Sequence, residues 1–371
     1  MSHFITIFLS GDVMTGRGID QILPHPSEPA IFEPYLRDAR GYVMLAERAA
    51  GSIAKPVGYG YPWGEALAIL EKRAPDLRII NLESSITTSN DYWQGKGINY
   101  RMHPANVPCL TEAGIDACAL ANNHVLDWGY AGLTETLAVL GEAGVKTAGA
   151  GSNYHEAASP VMLPVTGKGR VLLFSFGLET SGIPNAWKAT TDRCGINLLP
   201  DLSPATISRI ASQVRGVKGA GDIVIASIHW GSNWGFEVPP DQRQFAHRLI
   251  EAASVDLVHG HSSHHVKGIE VYQGKGVIYG CGDFINDYEG ISGYEEFRGD
   301  LSLMYFPQIE AATGKLARLT MVPVRRHKFR LQLANATEAE WLATTLNREG
   351  KVFGTSVSIE EDGSFDLQHE D

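Results

Sequence analysis

Between Val258 and His265 the chain reads Val-His-Gly-His-Ser-Ser-His-His. This places four imidazoles, His259, His261, His264 and His265, within seven residues of a chain that has 13 histidines in 371. Neutral imidazole is the commonest protein ligand for borderline divalent ions, and a neighbouring glycine lets the backbone turn so that non-adjacent rings converge. Metal binding is the chemistry this spacing suggests. For the segment alone, the alternative is a polar loop carrying spare histidines.

Four further segments end an apolar, strand-like run in residues able to hold a cation. Residues 4–10 lead into Gly11-Asp12, and Leu77-Arg78-Ile79-Ile80 into Asn81-Leu82-Glu83. Ala117-Cys118-Ala119-Leu120 leads into Ala121-Asn122-Asn123-His124, and residues 223–228 into His229-Trp230. In an open α/β sheet the ligand crevice lies beyond the carboxyl ends of the strands, so polar groups placed there face a common site. Singly, Asp12, Asn122 and Asn123 could be turn formers and His124 a hydrogen-bonded, half-buried histidine. Glu83 resists such a reading, because a carboxylate buried unpaired after an apolar strand costs roughly several kcal/mol. The joint order Asp, Glu, Asn-His, His, His-x-x-His makes the functional reading the stronger one.

The same segments, Gly11-Asp12-Val13-Met14, Asn81-Leu82-Glu83, Asn122-Asn123-His124 with Leu126-Asp127-Trp128-Gly129, His229-Trp230-Gly231 and the Gly-His-x-x-His from Gly260 to His264, resemble the CapA family of capsule, or poly-γ-glutamate, synthesis proteins. That family falls within the calcineurin-like metallophosphoesterase superfamily. The resemblance runs from about residue 4 to about residue 290. It implies an α/β fold, a four-layer α/β/β/α sandwich of metallophosphoesterase type, with two divalent ions at the strand ends. Asp12 and His264 would bind the first ion and Glu83 would stand at the bridging position. Asn123, His229 and His261 would bind the second, with His124 as an uncoordinated general acid. Met14 stands where the wider superfamily has a histidine, and a thioether is a poor ligand for hard ions. His259 and His265 are extra imidazoles, either of which could substitute for it. Asp283 is either a further ligand or a carboxylate orienting a histidine.

The implied activity is metal-dependent hydrolysis of an anionic substrate. Bridged divalent ions, Mn, Zn or Fe on this mixed N and O ligand set, lower the pKa of water and clamp developing negative charge. His124 would protonate the leaving group. Arg17 and Arg101 are candidates for holding a substrate phosphate or carboxylate. The substrate is an anionic small molecule or γ-glutamyl polymer, cleaved at a phosphoester or a γ-glutamyl amide. The alternative from another class is a non-catalytic polymer-binding or assembly protein.

Composition bounds these readings. A formal charge of −11 argues against nucleic acid or an acidic membrane as partner, and 44% hydrophobic residues suffice for a large core. No run approaches the roughly 20 apolar residues that span a bilayer. The first apolar run lacks a preceding basic region and leads straight into Asp12, so a cytoplasmic protein is expected. The scattered Cys109, Cys118, Cys194 and Cys281 read as reduced thiols, which agrees.

The elements expected to position these residues alternate. Helices are expected at 62–72, 131–143, 204–214 and 241–253, and long loops over the strand ends at 51–61 and 89–102, the second carrying Trp93, Lys96 and Arg101. A catalytic domain over 1–300 is followed by 301–371, with strands at 301–309 and 316–324 and a helix at 338–347, read as closing or extending the second sheet.

Overall fold

In the computed structural model, which describes residues 4–369, the apolar runs form the parallel centres of two sheets. Phe4–Val13 lies in the middle of a ten-stranded sheet. On one side are the parallel strands Leu77–Leu82, Ala117–Ala119 and Lys146–Ala148. On the other are the antiparallel Leu301–Glu310 and Leu316–His327. In the second sheet, of six strands, Gly169–Gly177, Ile223–His229, Leu257–His261 and Lys275–Ile278 run parallel, with Val161–Val165 and Ile269–Tyr272 as antiparallel edges.

Strand alternation decides which faces meet. Ile5, Ile7 and Leu9 share one core with Val171, Leu173, Ile223 and Ile225, so the two sheets bury apolar residues against each other. Phe8, Ile80, Leu82 and Cys118 point the other way, into a cluster with the helix residues Ala46, Leu70, Leu133 and Leu140. The opposite face of the six-stranded sheet, with Phe174, Phe176, Val224 and Ile228, is covered by the helices Pro204–Arg215 and Pro240–Ala253. The first of these helices starts at Ser203, whose side chain accepts from Thr206 N at 3.3 Å. It buries Ile207, Ile210, Ala211 and Val214 on one stripe. Burying each of Ile207, Ile210 and Val214 stabilises the fold by about 1.5–3 kcal/mol.

The C-terminal strands pair with the sheet of the first strand, in register Ile5 with Ile309 and Leu9 with Tyr305, and not with the sheet of Ile223–His229. Leu303, Tyr305 and Ile309 thereby enter the core between the sheets, which the helix Ala336–Gly350 closes with Leu342, Ala343 and Leu346. The helix expected from residue 62 begins only at Ala66. Pro62 to Glu65 form a turn docked on Leu331, with Gly64 at φ +48° and no room for a side chain beside the Leu331 carbonyl. The helix Arg40–Ala50, with Tyr42, Val43 and Ala46 buried on one stripe, was not anticipated. Among the described residues no helix is long and apolar enough to cross a membrane.

One irregularity in the first strand sets up the site. The pairing with Leu77–Leu82 shifts between Leu9 and Asp12, a bulge that re-aims Asp12. It is possible because Gly11 lacks a Cβ, which would stand 1.6 Å from the Gly282 carbonyl oxygen that accepts from Asp12 N at 3.1 Å. Gly11→Ala is therefore expected to lower stability by about 1–3 kcal/mol in urea unfolding. Gly58→Ala, at a position with nothing within 4 Å of the added carbon, should stay within about 0.5 kcal/mol of wild type. Equal effects would show that the bulge tolerates a side chain.

Candidate metal centre

Sheet register brings the predicted donors to the seam between the two sheets. His229 and His261 are direct cross-strand neighbours, and Asp12 is in register with Asn81 on one side and Asp283 on the other. The Nδ1 atoms of His229 and His261 are 2.8 Å apart, and His261 Nδ1 is 3.9 Å from Asp12 Oδ1. His229 Nε2 lies 3.1 Å from Asn123 Oδ1 and 3.8 Å from Glu83 Oε1. Donor atoms of Asp12, His229 and His261 all fall within 4.8 Å of one another. Nitrogen and oxygen ligands about 2.0–2.2 Å from a shared ion stand at such mutual separations.

A row of hydrogen bonds fixes which atom of His261 faces this cluster. The Ser10 carbonyl can only accept, so His259 Nε2 donates to it, at 2.8 Å. Burial holds His259 neutral, pushing it down from its ordinary 6.5 to about 4. Its Nδ1 must then accept from Ser227 Oγ, at 3.0 Å. Ser227, its one proton used, accepts from His261 Nε2 at 2.8 Å. Burial and the neighbouring His229 push His261 well below its usual range, so it too is neutral and its Nδ1 presents a lone pair to the cluster.

The carboxylates show the opposite imbalance. Burial, reinforced by repulsion from Asp283, raises Asp12 to about 7. Burial and the charge of Asp12 raise Glu83 well above its ordinary value. The side-chain oxygens of Asp12 accept from Asn81 Nδ2 at 2.7 Å and Ser262 N at 3.3 Å, neither of which carries charge. Crowded carboxylates beside outward lone pairs of neutral imidazoles are the donor chemistry of a divalent cation site. His264 sits next to them. Burial disfavours its charged form, but Asp283, 2.8 Å from its Nδ1, raises it overall. Asn286 Nδ2 holds the other oxygen of Asp283 at 2.7 Å. Asp283 thus lies where a carboxylate orients an imidazole ring. His265 bonds the Val266 carbonyl through Nδ1 and packs against Phe236 and Phe297, and His259 is tied up in the row above.

Asn122 and Asn123 divide the two roles open to them. Asn122 Oδ1 accepts from His124 N and Val125 N at 3.1 Å and forms the turn, while Asn123 faces His229. His124 Nδ1 lies 2.6 Å from Asp127 Oδ2, and Lys96 Nζ reaches the same ring nitrogen at 2.9 Å and Asp127 Oδ1 at 2.5 Å. His124 Nε2 points to the cluster, 3.7 Å from Glu83 Oε1. Burial, aided by Lys96, outweighs Asp127 and pushes His124 down to about 4. Lys96 sits on an aperiodic loop, and only the folded chain shows what it touches.

The two arginines expected at the substrate are placed elsewhere. Arg17 is buried, bridging Glu33 at 3.1 Å and Asp287, with its guanidinium 3.8 Å from the Tyr42 ring centre. Arg101 donates to the Ser89 and Glu28 carbonyls at 2.8 Å and stacks on Trp128. Both tie loops together.

A family model for the bacterial capsule synthesis protein PGA_cap matches residues 6–288. A probable polyglutamine synthesis accessory protein of Mycobacterium tuberculosis is 48% identical over 364 residues, 98% of this chain and 96% of its own. The PGA biosynthesis protein CapA of Bacillus subtilis is 26% identical over 97% of this chain and 82% of its own. The capsule biosynthesis protein CapA of Bacillus anthracis is 24% identical over 76% of this chain and 60% of its own.

The hydrogen-bonded row makes a pH prediction. A histidine whose folded pKa is depressed contributes stability that is fully present above 6.5 and is lost as pH falls toward about 4. Against His259→Gln, which has no titrating ring, the wild type should lose about 1.4 kcal/mol per pH unit across that window. Denaturant melts at a series of pH values read this difference, and a difference that stays constant would mean that His259 is not held neutral.

Proposed function

The chain belongs to the bacterial capsule synthesis protein family PGA_cap, and from that premise we propose that it is a metal-dependent hydrolase of an anionic substrate. We read the stacked sheets with their helices as the four-layer sandwich of the metallophosphoesterase superfamily. The observation that carries the proposal is the meeting of Asp12, His229 and His261 donor atoms within 4.8 Å at the strand ends of two different sheets. Asp12 and His264 would hold one divalent ion and Asn123, His229 and His261 a second, with Glu83 shared and Asp12 also within reach of the second. Such ions supply water acidified toward neutrality and stabilise charge developing on the substrate.

The remaining steps belong to the chain. Asp127 and Lys96 hold the His124 ring with Nε2 toward Glu83. Burial keeps the ring neutral until the negative charge of a bound substrate raises its proton affinity, so the proton arrives with the substrate and passes to the leaving group. Buried Tyr100 packs edge-on against His124, at 4.5 Å between ring centres, and limits water there. A second reading, a non-catalytic poly-γ-glutamate binding or assembly protein, is favoured by the words "accessory protein" in the name of the Mycobacterium relatives.

Elemental analysis of the purified protein should find at least one of Mn, Zn or Fe per chain. His229→Ala should remove metal and activity, whereas His247→Ala should retain both, since His247 stacks on Tyr272 and bonds Glu270 away from the cluster. A preparation that neither carries nor takes up metal ends the proposal. One that binds metal and γ-glutamyl polymer but hydrolyses neither phosphoesters nor γ-glutamyl peptides supports the accessory reading. His124→Asn should keep its metal yet turn over about 10²- to 10⁴-fold more slowly, with a smaller loss for a nitrophenolate leaving group that needs no proton. Metal lost in proportion to activity would make His124 a ligand.

A further inference from the structure

The loop around Lys96 lies open to solvent, yet the lysine side chain does not. Gln94, Gly95, Gly97 and Ile98 are exposed and Gly95 stands at φ +78°, while the Lys96 side chain folds inward to 13% exposure. A lysine on such a loop ordinarily keeps its ammonium in water, and burying it is costly unless every proton finds an acceptor. Here each of them does. The acceptors are Asp127 Oδ1 at 2.5 Å, His124 Nδ1 at 2.9 Å and the Ile98 carbonyl at 3.3 Å.

Two groups of opposite kind therefore meet at His124 Nδ1. The Lys96 ammonium can only donate, and the Asp127 carboxylate, whose Oδ2 lies 2.6 Å away, can only accept. A neutral ring has one proton and satisfies one of them. Asp127 is already supplied, since Oδ1 accepts from Lys96 and Oδ2 from Tyr100 N at 2.6 Å. Lys96 is not: with two protons on Asp127 and Ile98, His124 Nδ1 is the acceptor that remains for its third among the described residues. A buried ammonium proton left unpaired costs more than a carboxylate oxygen that keeps one donor. We propose that Lys96 is a positioning residue: by donating to Nδ1 it holds the one proton of the neutral His124 ring on Nε2, the atom that points toward Glu83. The assignment rests on the reading of His124 as general acid and deepens it. A ring bonded to Asp127 through Nδ1–H would instead turn a lone pair to the cluster, and so could not donate there. As substrate charge raises the proton affinity of the ring, Nδ1 takes a proton from the Lys96 ammonium and Nε2 gives its own to the leaving oxygen. The ring ends neutral with Nδ1–H on Asp127 Oδ2, and Lys96 ends as the amine, the form that its burial favours, until water returns a proton to it.

The place of the proton is read without turnover. In protein carrying isotope-labelled histidine and supplied with Zn²⁺, long-range proton–nitrogen correlation NMR at pH 7 distinguishes Nε2–H from Nδ1–H, and the His124→Asn spectrum identifies the signal. The wild type should show His124 as Nε2–H. Lys96→Met should move the proton to Nδ1, whereas Lys96→Arg, which keeps a charged donor, should retain Nε2–H. An Nδ1–H or doubly protonated ring in the wild type would overturn the assignment whether or not any variant folds, as would an unchanged Nε2–H in folded Lys96→Met. Where hydrolysis is found, Lys96→Met should lower kcat by about 10- to 100-fold for leaving groups that need a proton and by no more than about twofold for nitrophenolate, with KM within about twofold. Equal losses for both leaving groups would reduce Lys96 to a structural part and overturn its role. Nε2–H in a wild type that hydrolyses nothing would end the hydrolase reading and leave the assignment to Lys96 standing.

Discussion

The row of hydrogen bonds from the Ser10 carbonyl through His259 and Ser227 to His261 is the interaction on which the site depends. It begins in the ten-stranded sheet and ends in the six-stranded one, so it holds the strand ends of both sheets at one distance. It also passes a single proton assignment along its length, and the last member is left with a lone pair facing Asp12 and His229. A chain of neutral, buried groups can do this because each has one donor and one acceptor role and both are filled. Protonating His259 would give it two donors and break the assignment at Ser227.

The rest of the centre is arranged around that fixed point. The bulge at Gly11 brings Asp12 to the Gly282 carbonyl and into register with Asp283, and Gly260 lets the Leu257–His261 strand approach the Ile278 and Tyr279 carbonyls, which an added Cβ would meet at 2.7 and 2.4 Å. Asn81 and Asn122 join the strand ends to each other, Asn122 Nδ2 donating to Asn81 Oδ1 at 3.0 Å and Asn81 Nδ2 to Asp12. These amides are neutral and leave the charge of Asp12 and Glu83 uncompensated. That deficit is the physical basis for assigning a cation to the seam.

Much of this was legible in the sequence because strands make it so. An apolar run ending in a polar residue announces both a buried strand and the direction of its carboxyl end, which is why Asp12, Glu83, Asn123, His229 and His261 could be placed together in advance. What the sequence did not carry was the identity of partners across long separations. Arg17 pairs with Asp287, 270 residues away, and so is committed to the fold. Lys96 reaches His124 and Asp127 from a loop without periodicity. The pairing of the C-terminal strands with the first strand was likewise hidden, since alternation fixes a strand's faces and leaves its neighbour open.

The charge deficit at the seam can be measured directly. Metal-free protein titrated with Mn²⁺ or Zn²⁺ at pH 6, in two buffers of different ionisation enthalpy, reports the number of protons released per ion bound. Asp12, raised to about 7, is largely protonated at that pH and must lose its proton to become a ligand, whereas the His229 and His261 imidazoles are already neutral; His264, raised by Asp283, adds its own proton to the release. The account predicts uptake of ion with release of about one proton or more per chain at pH 6, and the Asp12 share of that release vanishing by pH 8. Ion uptake without proton release at pH 6, or no uptake at all, would contradict it.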